Sequence, residues 1–473
     1  VIRSIGGAWA RFVLIAAGIF LFTAPWGRAA DDEVLVLRHV TAFIGEDLRP
    51  EADQVIELKA GKIEKIMAAA DYVAPPGAQV LDLTGKFVLP GFIDMHAHLL
   101  AHPWDKEGRL MPQADRAASE RILRLLLAHG ITTVRDPGSP MQAAVDLRKM
   151  VSEGKVVGPR IFTAGSIINS SPFNPEPFYP VTTAAEIRDE IANQARLGVD
   201  WVKIYGSMPP DFAKVAIEEA HGRGLLITGH LGRTNWTQAA ELKIDMVEHA
   251  SSWSWDYVEP KLREHPAERG LMDRVAWLER VDLAGEPIRA MAKALAENHV
   301  TVDPTLIAMH TKFWGNDARY TRHPKMNLMP EIFAAGWPKG SFTADFTAND
   351  YARAQKAWPK MLAHTKLLFE AGVRLVVGAD TPTPWIISGV SFHEEMKLLN
   401  DAGIPVADVL KMATVNGTRA LGLKAPEGTI ASGARADLVV LDQDPSRPIE
   451  NANAIHLVIQ GGRIFRPSEL LSE

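Results

Sequence analysis

Between residues 91 and 422, short apolar runs and amphipathic stretches take turns along the chain. The runs are FIDMHAH, ITTVRD, RIFTAG, WVKIYG, LLITGH, MVEHAS, VTVDPTL and RLVVGAD. Between them lie helical patterns such as ASERILRLLLAHG, AAEIRDEIANQARLG, FAKVAIEEAHGRG, EPIRAMAKALAENH and PKMLAHTKLLFEAG. Several of these end in Gly, a helix C-terminal signal. Regular β/α alternation builds a parallel sheet, because each helix carries the chain back over one face. Eight repeats are the number that closes a (β/α)8 TIM barrel, and this α/β fold is what the pattern predicts. Two stretches, 251–280 and 310–350, follow a strand without a clear helical period. They are read as long βα loops at the end of the barrel where side chains converge.

The flanks have another character. VLVLRHVTAF, QVIELKAGKIEKIMA and QVLDLTGKFVLPG near the start, and GTIASGARADLVVLD and AIHLVIQGGRIF near the end, are β-rich runs separated by Gly, Lys and Asp turns. Residues 31–90 and 423–473 are therefore expected to fold together as one small β-sandwich domain, built from both chain ends around the 91–422 barrel. Residues 1–30 differ again. Arg3 and Arg11 precede the apolar run FVLIAAGIFLFTA, then Pro25 and the small residues near Ala29 and Ala30. That run is short for a bilayer span but suits the apolar region of a secretory signal peptide. The expectation is cleavage near Ala30, export to the periplasm or medium, and no stable membrane anchor afterwards. Cleavage would remove three Arg and no acid, leaving the mature chain more acidic.

The chain has no Cys, which excludes disulfides, thiolate catalysis and Cys-ligated zinc. Any metal must be held by nitrogen and oxygen. Lys plus Arg number 51 against 57 Asp plus Glu, for a net charge of -6, so no global basic field attracts nucleic acid. A small molecule is the expected partner.

The ends of the barrel runs carry a set of polar residues. The first run ends in His96-Ala97-His98, the fourth carries Lys203, the fifth ends at His230, the sixth at His249 and the eighth at Asp380. The two-residue spacing puts His96 and His98 on one face of a strand. A single strand histidine is more often a hydrogen-bonded structural residue than a ligand. Lys203 alone could be an ion-paired lysine, and Asp380 alone a helix cap. Their joint placement favours a shared site, because barrel strand ends meet at one mouth. Imidazoles with a carboxylate form the donor set of a hydrolytic zinc-type centre.

VLPGFIDMHAHLL, VGADTP, ATVNGTRALGL and GTIASGARADLVVLD resemble the amidohydrolase superfamily over essentially the whole chain after residue 30. Within it, the chain is similar to imidazolonepropionase-related and prolidase-like enzymes. The resemblance implies two divalent metal ions, with zinc the default and manganese, cobalt or iron the alternatives. His96, His98 and Asp380 would hold the more buried ion, and His230 and His249 the second. Lys203 falls where binuclear relatives carry a lysine carboxylated by carbon dioxide, whose carbamate bridges the metals. The implied reaction is attack by a metal-bridging hydroxide on an amide or peptide C–N bond. Asp380 would be the general base that passes the proton to the leaving amine. Substrates would be an Xaa-Pro-type dipeptide or an N-acyl amino acid, and the family habit implies a homo-oligomer.

Candidate substrate contacts beyond the ligands are His102, Arg135, Tyr205, Arg233 and His310. The loop 169–180 and Trp253, Trp255, Trp314 and Trp385 could line an apolar cleft. A lactonase, carboxylesterase or organophosphate hydrolase would use a similar centre. Mononuclear deaminases usually add a Glu acid near the fifth strand, and LGRTNWTQAAE offers no clear equivalent. Non-catalytic scaffolds of the superfamily typically lose the ligands that are intact here.

Overall fold

The computed structural model describes residues 33–472 apart from 104, 108, 110, 112–115, 172–175 and 265–269. The expected signal segment, residues 1–30, lies outside them, as does part of the loop 169–180. The chain begins with β1 (Val34–Ile44), β2 (Arg49–Lys59), β3 (Lys62–Ala68), β4 (Gln79–Asp82) and β5 (Phe87–Pro90). The middle holds β6 (Phe92–Asp94), β7 (Ile131–Asp136), β8 (Arg160–Thr163), β9 (Ile167–Asn169) and β10 (Phe178–Pro180). It continues with β11 (Trp201–Ile204), β12 (Leu226–Gly229), β13 (Met246–Glu248), β14 (Thr301–Asp303) and β15 (Arg374–Leu375). The chain returns through β16 (Leu438–Leu441), β17 (Ile455–Gln460) and β18 (Arg463–Phe465).

The barrel is built from two parallel arcs. One is β6-β7-β8, and the other runs from β9 through β11, β12, β13 and β14 to β15, with β10 beside β9. Backbone bonds join them. At one seam the Asp200 amide donates to the Thr163 carbonyl at 2.9 Å. At the other, the Met95 amide reaches the Val377 carbonyl at 2.9 Å and the Asp380 amide the His96 carbonyl at 2.8 Å. Strands such as β7 and β11 are buried along their whole length. Helices cover one face and the barrel interior the other, so even the polar Thr133 and Arg135 of β7 and Lys203 of β11 are buried.

The two chain ends do make one sheet. Its order is β18-β17-β16-β5-β1-β2-β3, with β4 against β1. The Ile63 amide donates to Ala434 at 2.8 Å and the Ala436 amide to Gly61 at 2.9 Å. The free edge of β3 therefore meets the segment entering β16, and the sheet curls around Leu37, Ile56, Ile63, Val88, Leu438 and Leu457. The chain passes from sheet to barrel at Pro90-Gly91. A Cβ at Gly91 would sit 2.1 Å from the Thr132 hydroxyl, so only glycine allows β6 to start this close to its neighbour.

Most helices fall where the apolar period places them. Thr183 and Glu186 form a capping box at the head of Ala184–Leu197, and Gly198 ends it at φ 82°. One helix is longer than its pattern. It begins at Ala348, not at Pro359, and runs to Glu370 with the proline inside. Its start is set by a second capping box, Thr347 with Asp350, whose reciprocal bonds satisfy the first amides. The stretches 251–280 and 310–350 follow β13 and β14, and they contain several short helices as well as Leu271–Arg280. Among the described residues no helix is long and apolar enough to cross a membrane.

Candidate metal centre

Five of the strand-end residues meet at the C-terminal mouth of the barrel. His96 and His98 lie just beyond β6, and the Nε2 atom of each stands 3.5 Å from Asp380 Oδ1. His96 packs beside His249 with ring centroids 5.3 Å apart, and His249 beside His230 at 4.3 Å. The four imidazoles thus form a continuous row, with Asp380 at one end. Ligand atoms of His96, His98 and Asp380 lie within 4.8 Å of one another, and so do those of His96, Glu248 and His249.

Backbone geometry makes this convergence possible. A strand alternates its side chains, so Glu248 and His249 could not both point inward from a regular β13. His249 leaves the strand region at φ 72°, and Asp380 does the same at φ 62°. Left-handed backbone is unfavourable for non-glycine residues and is retained where surrounding structure over-determines it. Here the ladder supplies the constraint: the His249 amide donates to Asp303 at 2.8 Å and the Asp380 amide to His96 at 2.8 Å.

Three of the imidazoles are oriented alike. His96 Nδ1 contacts Asp303 Oδ2 at 2.9 Å, His98 Nδ1 the Gly138 carbonyl at 2.7 Å, and His249 Nδ1 the Thr305 hydroxyl at 2.7 Å. With an acceptor at Nδ1, the proton resides there and the Nε2 lone pair faces the centre. Burial holds His96, His230 and His249 well below the usual imidazole range, which keeps them neutral as ligands must be. Burial alone would raise the Asp380 carboxyl, but the His98 contact and the nearby Lys312 draw it down and keep it ionised. This buried, nitrogen-and-oxygen donor set fits divalent ions.

A layer of buried carboxylates braces the centre from below. Asp94 Oδ1 accepts from the His96 amide at 3.0 Å and the Ala379 amide at 3.1 Å, tying the first strand end to the last. Burial pushes Asp303 up to about 7, against the pull of Arg135. A Cβ at Gly378 would lie 2.4 Å from Asp303 Oδ1, so the glycine of VVGAD makes room for the carboxylate that orients His96. Asp303→Asn is expected to weaken zinc binding by about 10- to 100-fold in a chelator competition. Unchanged affinity would remove Asp303 from this orienting role.

Lys203 is buried on β11 with its ammonium in direct contact with Glu248. Glu248 also accepts from Arg135 at 2.9 Å and from the Thr228 hydroxyl at 3.0 Å. Burial, reinforced by Arg135, draws Lys203 well below the ordinary lysine range.

The expected substrate contacts are scattered. Tyr205 belongs with the site, its ring 4.4 Å from His230 and 4.9 Å from Phe178. Arg135 does not reach a pocket wall, which corrects the expectation for it. Its side chain is fully buried, donating to the Met95 carbonyl at 2.7 Å and to Glu248. Arg135 lies next to the end of β7, and its side chain points into the barrel interior. His310 sits in an aromatic nest, stacked on Trp314 at 4.1 Å and edge-on to Trp358 at 4.8 Å, with the Tyr320 hydroxyl on Nδ1. His102 lies in the loop after His98, its Nδ1 3.0 Å from the Met111 carbonyl. Arg233 is exposed, and its amide donates to Gly206 at 2.9 Å. Trp253 and Trp255 both donate to Asp273, at 3.1 and 3.4 Å.

The family model "Amidohydrolase family" matches residues 87–465. The chain belongs to the amidohydrolase family. It is 24% identical over 425 residues to a dihydroorotase of Pelotomaculum thermopropionicum, covering 84% of this chain and 89% of that protein. Among solved structures, it resembles a Xaa-Pro dipeptidase with bound methionine in the active site. The TM-score is 0.67 at 19% identity, over 92% of this chain and 100% of that one. It also resembles a bottromycin amidohydrolase, with a TM-score of 0.69 at 21% identity, over 92% of this chain and 87% of that one. This amidohydrolase is thus an enzyme of a family that acts on C–N bonds and generally binds divalent metals.

Four residues of the site escaped the sequence reading. Glu248 adjoins His249 in MVEHAS, where strand alternation assigns it to the opposite face. Asp303 stands in the middle of the run VTVDPTL and ends β14, so the strand-end rule that selected Asp380 could have selected it too. Arg274, whose Nη2 stands 2.7 Å from His230 Nε2, and Lys312 lie in the loop stretches, where no period marks them.

Proposed function

We propose that this amidohydrolase is an exported binuclear enzyme that hydrolyses the amide of an N-acyl amino acid or an Xaa-Pro-type dipeptide. The observation that carries the reading is the row of four imidazoles ending at Asp380, three of them with Nε2 turned to the centre. His96, His98 and Asp380 would hold one ion, and His230 and His249 the other. Lys203 would bridge them as a carbamate. Carbamate formation needs an uncharged amine, and burial of Lys203 favours that form. The acid beside it is already served by Arg135 and Thr228, so Glu248 keeps partners when Lys203 turns away.

When bound, the ions supply an activated water near neutral pH and polarise the scissile carbonyl. The chain's own part is proton handling and positioning. Asp380 accepts the water proton and delivers it to the leaving nitrogen, which departs poorly unless protonated. Asp303, Gly138 and Thr305 hold the imidazoles in the tautomer that faces the centre. Tyr205, beside His230, would meet the substrate. The reading of export rests on the composition of residues 1–30.

The deciding measurement compares N-acyl amino acids and Xaa-Pro dipeptides with aryl esters, lactones and phosphotriesters on the metal-loaded enzyme. Amides and dipeptides are expected to lead in kcat/KM. A preference for esters, lactones or phosphotriesters by orders of magnitude would overturn the proposal.

A further inference from the structure

Arg274 touches His230, Lys312 lies within electrostatic reach of Asp380, and the family reading gives neither cation a task. Arg274 lies on the helix Leu271–Arg280, in the loop stretch after β13. Lys312 lies on the helix Leu306–Phe313, which follows β14. Both are half-buried. The Arg274 guanidinium lies over the Trp253 ring at 5.5 Å, and the Lys312 ammonium over Phe342 at 5.1 Å. Lys312 is within electrostatic reach of both Asp380 and Arg274. Among the described residues neither cation forms an ion pair.

Arg274 has one strong contact, its Nη2 standing 2.7 Å from His230 Nε2. A guanidinium only donates, so Nε2 is the acceptor and the ring proton sits on Nδ1. A neutral imidazole has a single lone pair, and here Arg274 occupies it. A metal at Nε2 would need that same lone pair. A metal at Nδ1 would drive the proton to Nε2, which could then no longer accept. Whichever nitrogen binds, metal on His230 and the Arg274 contact exclude each other. A loaded site must release the guanidinium, which remains at the mouth beside Tyr205 and Trp253.

We infer that Arg274 and Lys312 form a carboxylate-receiving subsite, to which Arg274 is released when His230 takes a metal. The inference deepens the amide-hydrolase reading and rests on it: the substrate class is an amide whose leaving amine bears a free carboxylate. A planar guanidinium held against an indole can present two parallel N–H donors to a carboxylate, and the ammonium adds a second positive charge. Two cations beside cationic metals leave the pocket rich in positive charge until an anionic substrate enters.

The test compares release of benzoate from N-benzoyl-leucine and its carboxamide, and from the O-benzoyl hydroxy acid and its carboxamide, on zinc-loaded enzyme. The wild type is expected to favour the acids by about 10-fold or more in kcat/KM. In Arg274→Met and in Lys312→Met the acid-to-carboxamide ratio should fall several-fold toward one, mostly through KM, and Arg274→Lys should recover part of it. Arg274→Met should also bind the second zinc equivalent several-fold more tightly in a chelator competition, because the His230 lone pair is no longer occupied. An unchanged ratio in both methionine variants, no acid preference in the wild type, or weaker second-zinc binding in Arg274→Met would overturn the inference. If only the esters turn over, the amide reading fails, yet the ester pair still measures the carboxylate subsite.

Discussion

Asp380→Asn is expected to lower amide turnover by about 10³-fold while the enzyme still binds metal. The carboxylate lies 3.5 Å from both His96 and His98 Nε2, inside a buried cluster of nitrogen donors. Asparagine preserves its shape and keeps one oxygen that can ligate, with His96 and His98 still in place. It cannot take up and return a proton. An amide needs that proton on its leaving nitrogen, whereas an aryl ester departs without it. The loss should therefore be much smaller on an aryl ester than on an N-acyl amino acid. Elemental analysis beside kcat/KM on both substrates checks each part. Near-normal amide turnover with metal retained would remove Asp380 from the role of general base.

Lys203→Ala should cost about 100-fold or more in kcat/KM and reduce the bound metal from two equivalents to one. The reasoning starts from burial. The amine is surrounded by barrel interior and lies beside Arg135 and Glu248, which already pair with each other at 2.9 Å. An ammonium there contributes little that Arg135 does not supply, but an uncharged amine can be carboxylated. Removing the side chain leaves space between the two histidine groups, and formate added in excess should restore part of the second metal and of the activity. Wild-type enzyme holding one equivalent, or an alanine variant holding two, would assign Lys203 to the Glu248 ion pair alone.

The parts legible in the sequence share one property: they follow from local period and register. Apolar runs with helical intervals predict the barrel, and counting strand ends locates His96, His98, Lys203, His230, His249 and Asp380. Arg135 shows where that rule stops. It too lies near the end of a strand, but whether a side chain enters the mouth or the interior depends on neighbouring strands. Glu248 shows the converse. Strand alternation sends it away from His249, and a single left-handed residue at φ 72° brings both to the same side.

The sequence by itself determined the barrel, the joining of the two β-rich ends and the all-nitrogen-and-oxygen chemistry of the centre, because periodicity and residue type are local properties. Only the tertiary structure decided how each imidazole is turned. Asp303 lies 207 residues from the His96 it orients, and Arg274 lies 44 residues from the His230 lone pair it occupies. Those contacts depend on closure of the barrel, which joins strand ends by backbone bonds that no local pattern encodes. The carboxylate subsite has the same origin: two loops without a helical period are brought over one metal centre by the strands that precede them.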